Sequence, residues 1–181
     1  MAGRGGVLVL LKLTGALLII VSTTLLGFSL ALKERERLKE MVYLQMAFQM
    51  LSSEISYTAL PLPAAFTGIG EKIKEPVSLL FVKAAREMGK YRGDSMEEIW
   101  REAVEDFFPR SSLKERDKQV ILSASSFLGI SDKDHQEEQL KLLMRQLKER
   151  EKEIRTSLER SERMCKYLGV MGGLMLVILL L

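Results

Sequence analysis

Cysteine occurs once, at Cys165, so no disulfide can close within the chain. That suits a reducing compartment. Histidine also occurs once, at His135, in the first turn of a polar helical stretch. One histidine and one cysteine cannot supply the usual zinc ligand sets, and no nucleophile–base set can be assembled from them. Prolines number four and aromatic residues make up 7% of the chain, which points to helices rather than sheets. The net charge of +3 is too small to argue for nucleic acid. No internal repeat or low-complexity segment is present. A glycine-bearing stretch, GIGEK at Gly68 to Lys72, lacks the GxxxxGK[ST] spacing of a phosphate loop and follows no strand.

What the chain does have is two apolar ends. Residues 13–32 hold no charge, and a helix of that length spans about 30 Å, the thickness of a bilayer's hydrocarbon core. Lys33, Arg35, Arg37 and Lys39 follow at once, which places that side in the cytoplasm. A cleaved signal peptide would share the basic start at Arg4 and the small residues Ser29 and Ala31. Its apolar region, however, is at most about fifteen residues long. Residues 167–181 form a second apolar run, preceded by Arg160, Arg163 and Lys166. The expected organisation is an outer tail (1–10), a transmembrane helix (11–32), a cytoplasmic domain (33–166) and a second transmembrane helix (167–181). The fold class is all-α, an antiparallel helical bundle flanked by the two spans.

The middle reads as successive helices. Leu38, Met41, Val42, Phe48, Leu51 and Ile55 make one apolar stripe, and Tyr43, Ala47, Met50, Glu54 and Tyr57 a second, mixed one. Two stripes place this helix in the centre of a bundle, and Pro61 and Pro63 end it. Residues 64–70 read as a loop or a short helical turn. Val77 to Met88 form a helix, and Ser95 with Glu98 caps the next, whose buried face is Ile99, Trp100, Val104, Phe107 and Phe108. Ser111 or Ser112 opens a further helix that ends near Gly129. Ser131 with Asp134 resembles a capping box and starts the longest helix, with a seam of Leu140, Met144, Leu147, Ile154, Leu158 and Cys165. Glu137 with Lys141, Glu151 with Arg155, and Glu159 with Arg163 are four-residue acid–base pairs on its solvated face. In the spans, Gly169 and Gly173 form a GxxxG, and Thr23 and Gly27 a matching small pair. Together they predict close packing of the two membrane helices.

Several of these residues fall into an ordered set. Lys12, Leu13, Gly15 and Ala16 are followed by Thr23, Thr24, Gly27 and Phe28. Leu51, Glu54, Ile55, Tyr57, Pro61, Leu62 and Ala65 come next, then Trp100 in an acidic helix. Leu128, Gly129, Asp132, Gln136 and Leu140 precede the closing LGVMGGLMLVILLL. This order and spacing resembles the stage III sporulation protein AB family of endospore-forming bacteria over nearly the whole chain. A departure is a longer N-terminus, by about eight residues before Leu11.

The resemblance implies a non-enzymatic membrane component, without cofactor or small-molecule substrate, of the complex linking mother cell and forespore. It implies a cytoplasmic domain similar to that of the type II secretion F-type platform protein. Its implied partners are a secretion-type ATPase, the other stage III sporulation A-operon membrane proteins and the lipid bilayer of the mother-cell membrane around the forespore. Glu54, Tyr57, Asp132 and Gln136 are then expected on a partner-binding surface. The alternative is a membrane-tethered regulator that binds a cytoplasmic partner.

Overall fold

The computed structural model describes the backbone of residues 3–58, 60–90, 93–129 and 132–180. Side chains are described throughout that range apart from 3–13, scattered positions between 16 and 30, residues 57, 58, 133 and 162, and most positions from 165 onward. Every regular element in it is helical. α1 runs over Gly3–Ser53 and ends in a π-helical turn, Glu54–Thr58. α2 (Leu62–Lys72), α3 (Val77–Met88), α4 (Met96–Phe107) and α5 (Glu115–Leu122) are short, and α6 (Lys133–Leu180) closes the chain. The chain divides into two units, Met1–Arg35 with Thr156–Leu181, and Glu36–Arg155.

The unit Glu36–Arg155 owes its cohesion to one apolar core. Phe48 of α1, Phe66 of α2, Phe81 of α3 and Trp100 of α4 meet with ring centroids 5.5–5.9 Å apart, mostly edge to face. That is the preferred geometry for rings with a negative face and a positive edge. All four are fully buried, and Trp100 Nε1 donates to the Ile121 carbonyl oxygen of α5 at 2.9 Å. The indole therefore loses no hydrogen bond on leaving water.

The helix boundaries follow from local chemistry. α4 starts at a capping box: Ser95 Oγ accepts from Glu98 N at 3.2 Å, and Glu98 Oε2 accepts from Ser95 N at 2.8 Å. Residues 64–70, expected as a loop or short turn, lie inside the eleven-residue α2. Pro63 falls in its first turn, where a missing N–H costs nothing, and Ala65, Phe66, Ile69 and Gly70 give it a buried face. Gly70 lets α2 approach α3: a Cβ there would collide with Val82 Cγ2 and lie 3.6 Å from the Ser78 carbonyl. α5 opens at Glu115 rather than after Ser111 or Ser112, because Asp117 Oδ2 reaches back to accept from Lys114 N at 2.9 Å. α6 is capped by Asp132, whose Oδ1 accepts from Asp134 N and His135 N at 3.1 and 3.3 Å. Ser131, expected to cap it, lies outside the described residues.

The second unit comprises the outer portions of α1 and α6. Leu18, Val21, Leu25, Phe28 and Leu32 recur every three or four residues along α1 and are all exposed, from 44% to 67%. Met164, Tyr167 and Met171 are likewise exposed on α6. Among the described residues no helix is long and apolar enough to cross a membrane, and much of both expected spans lies outside the described side chains.

Candidate partner-binding site

The π-helical turn places Glu54, half-buried, at the end of α1, and Ser56 two residues on. Ser56 Oγ donates to Glu137 Oε1 at 2.6 Å, which ties this turn to the first turns of α6. Glu137 therefore faces Ser56 in place of the expected Lys141. The other two expected pairs do form, at 2.7 Å (Glu151–Arg155) and 3.5 Å (Glu159–Arg163).

At the start of α6, Asp132 is exposed and works as the helix cap. Gln136 is buried, and its Nε2 donates to the Phe127 carbonyl at 3.3 Å, anchoring α6 to the segment before Gly129. Gly129 has φ +88°, a conformation that favours glycine. Gln136 thus lies beneath the surface on which it was expected and braces this end of the domain from within, while Asp132 caps α6 from the exposed side. Beside them an open furrow of about 450 Å³ is lined by Asp134, Glu137, Glu138, Lys141, Leu142 and Arg145. Leu142 among them is exposed.

The structure therefore brings the turn bearing Glu54 together with the α6 start that holds Asp132 and Gln136. The Tyr57 side chain lies outside the described residues. So do those of Thr23, Gly169, Gly173 and Cys165, while Gly27 is half-exposed in α1. His135 is exposed, as expected. Among the described residues no three or more His, Cys, Asp or Glu are grouped to hold a metal ion.

A second polar cluster was not expected from the sequence. Arg37, read there only as one of the bases following the apolar run, is buried and points at Asp117. Its Nε donates to Oδ2 at 2.7 Å and its Nη2 to Oδ1 at 3.0 Å, a bidentate pair. Arg150 of α6 donates to the same Oδ1 at 3.1 Å and also pairs with Glu153. The Asp117 side chain is 0% exposed. Burial pushes its carboxyl up, but the Arg37 and Lys114 hydrogen bonds and the arginine charges outweigh burial and hold it below the usual carboxylate range.

One turn on, Glu40 accepts from Ser112 N at 2.9 and 3.0 Å. Burial dominates there, and the Glu40 carboxyl lies above its ordinary value although Ser112 opposes the shift. Gln45, further along α1, donates to Glu151 Oε2 at 3.0 Å. In the sequence, Glu151 falls in the gap between Leu147 and Ile154 of the α6 apolar seam.

The fold and this geometry define an all-α bundle protein whose charged groups serve as inter-helix ties and helix caps. Comparison with known proteins gives the particular family. The profile described as Stage III sporulation protein AB matches residues 12–181. The chain is 33% identical to Stage III sporulation protein AB of Bacillus subtilis (strain 168), over 95% of this chain and all of that protein. A solved structure of Stage III sporulation protein AB is similar with a TM-score of 0.65 and 28% identity, covering 68% of this chain and 97% of that one. The chain belongs to the stage III sporulation protein AB family.

Proposed function

We propose that this sporulation protein is a non-enzymatic membrane platform subunit. It sits in the mother-cell membrane around the forespore and holds its helical domain in the cytoplasm. There it engages a secretion-type ATPase and the other membrane subunits of the same channel-like complex. The observation that carries this reading is that α1 and α6, which both contribute to the apolar core, are the helices that contain the two apolar runs. The exposed stripe from Leu18 to Leu32 supports it, because lipid is the solvent in which such a stripe is stable.

The partner surface is the end of the domain formed by Glu54, Tyr57 and the start of α6. Asp132 and Gln136 set the shape of that surface, and Glu54 and Tyr57 meet the partner. Thr23, Gly27, Gly169 and Gly173 let the two spans approach closely. Co-purification of the detergent-solubilised protein from sporulating cells tests the platform reading. The ATPase and further membrane subunits are expected in the eluate; recovery of one soluble protein alone would favour a membrane-tethered regulator. Glu54→Lys should weaken that capture while leaving the helical circular dichroism signal intact. Loss of both together would make Glu54 purely structural.

A further inference from the structure

We infer that the furrow on α6 docks a helix of a partner protein, antiparallel to α6, with acids in its first turns, bases in its last turns and an apolar side chain beside them. This rests on the partner surface proposed above and names what that surface accepts.

The charges of the furrow are sorted by sign. Asp134, Glu138, Lys141 and Arg145 lie within about 60° of one another around the helix axis, along about 16 Å of it. The two acids come first and the two bases follow. Asp134 with Glu138, and Lys141 with Arg145, are like charges four residues apart, an arrangement that weakens a helix left to itself. None of these four side chains enters an ion pair or hydrogen bond among the described residues. Glu137, four residues before Lys141, is turned to Ser56 instead. Further along α6 the opposite holds, and Glu151 and Glu159 pair with Arg155 and Arg163. A face that serves only solvation gains from mixing its signs. This one presents an acidic half and a basic half, with the exposed Leu142 to one side.

The order of signs selects the occupant. The helix dipole favours acids in a first turn and bases in a last turn. A helix built that way meets like charge if it lies parallel to α6 and opposite charge if it lies antiparallel. Antiparallel, its bases face Asp134 and Glu138, its acids face Lys141 and Arg145, and an apolar side chain can cover Leu142. The core is undisturbed, because Leu140, Leu143 and Leu147 keep the buried face of the same turns. The furrow also adjoins the turn bearing Glu54, since Ser56 Oγ holds Glu137, one of its lining residues. One partner can therefore engage both.

The test compares the parent with Glu138→Lys/Lys141→Glu, both as full chains in detergent. This swap keeps the net charge and makes the four signs alternate. The probes are two capped, alanine-based helical peptides of one composition. One carries two acids, a leucine and two bases at the spacing of the furrow; in the other the signs alternate. In low-salt fluorescence anisotropy the parent should favour the sorted peptide by about tenfold, and the swapped chain the alternating one by as much. With a fluorophore on Cys165→Ser/His135→Cys, a quencher on the last residue of the sorted peptide should dim it more than one on the first. The reverse would overturn the antiparallel docking. Co-purification separates this inference from the platform reading. The parent should capture the ATPase and membrane subunits, and the swapped chain about tenfold less, with unchanged circular dichroism. Equal capture by both, or a peptide preference that the swap leaves unmoved, would overturn the furrow alone. No capture by the parent would overturn the platform reading, and the role of the furrow with it. A dimer of the parent that the swap dissolves would make the occupant a second copy and overturn the partner helix.

Discussion

Two buried clusters hold the Glu36–Arg155 unit together, and they do so by opposite physics. Around Trp100, four rings from four helices pack mostly edge to face, and the contacts are individually weak, numerous and tolerant of small shape changes. Around Asp117, one carboxylate ties α1, α5 and α6 through Arg37 and Arg150. Three charges have been taken out of water, so each depends on the others being present. The rings supply cohesion. The ionic cluster adds little net stability but fixes which turn of α1 faces which turn of α6.

Single truncations should be severe in both places. Asp117→Ala takes the shared carboxylate from the buried Arg37 and the part-buried Arg150 and should cost about 3 kcal/mol in urea unfolding of the detergent-solubilised chain. Trp100→Ala should cost a similar ~3–5 kcal/mol through the cavity it leaves. The clusters part company on repair. Arg37→Met/Asp117→Leu/Arg150→Met should regain most of the loss, ending within about 2 kcal/mol of the parent, since a well-packed apolar substitute avoids desolvation. A triple variant less stable than Asp117→Ala would show the charges themselves to be stabilising.

Acid separates the clusters further. The folded Asp117 carboxyl titrates below its unfolded value, so its contribution is present above the unfolded range and is lost as pH falls through the folded pKa. Glu40 has the opposite sign: its folded carboxyl lies above the unfolded one, so between the two values stability rises as pH falls. Urea midpoints of Asp117→Asn should therefore decline less steeply on the acid limb than those of the parent, the rest of the decline coming from carboxylates such as Glu151, and those of Glu40→Gln should decline more steeply. Trp100→Phe should shift the whole profile without changing its shape.

Smaller effects mark the periphery of the comparison. Ser95→Ala removes the α4 cap and should cost about 1 kcal/mol. Arg101→Ala breaks the exposed 2.7 Å pair with Glu97 and should stay within about 0.5 kcal/mol, less in high salt.

The ring cluster was legible in the sequence because its members sit on helices whose apolar spacing announces a buried face. Phe48 and Trp100 were expected inside for that reason. α2 was read short because its stripe has only three large apolar residues, and glycines at Gly68 and Gly70 mimic a loop. The ionic cluster was illegible. Arg37 carries a charge in a run of charges, and its partner lies 80 residues away. Nothing local distinguishes it from Arg35, which is exposed. Of the expected partner residues, Gln136 was recognisable by its pattern, but its inward anchor on the Phe127 carbonyl depends on a chain reversal at Gly129 that spacing does not encode.

Gly70 sets an upper limit on what can happen between α2 and α3. A methyl group there would meet Val82 Cγ2 and lie 3.5 Å from Val82 N, so the two helices mesh closely and sliding one along the other would first displace the Val82 side chain. A push on α2 would then be passed to α3 through this contact. This pair would behave as a stiff lever rather than a spring.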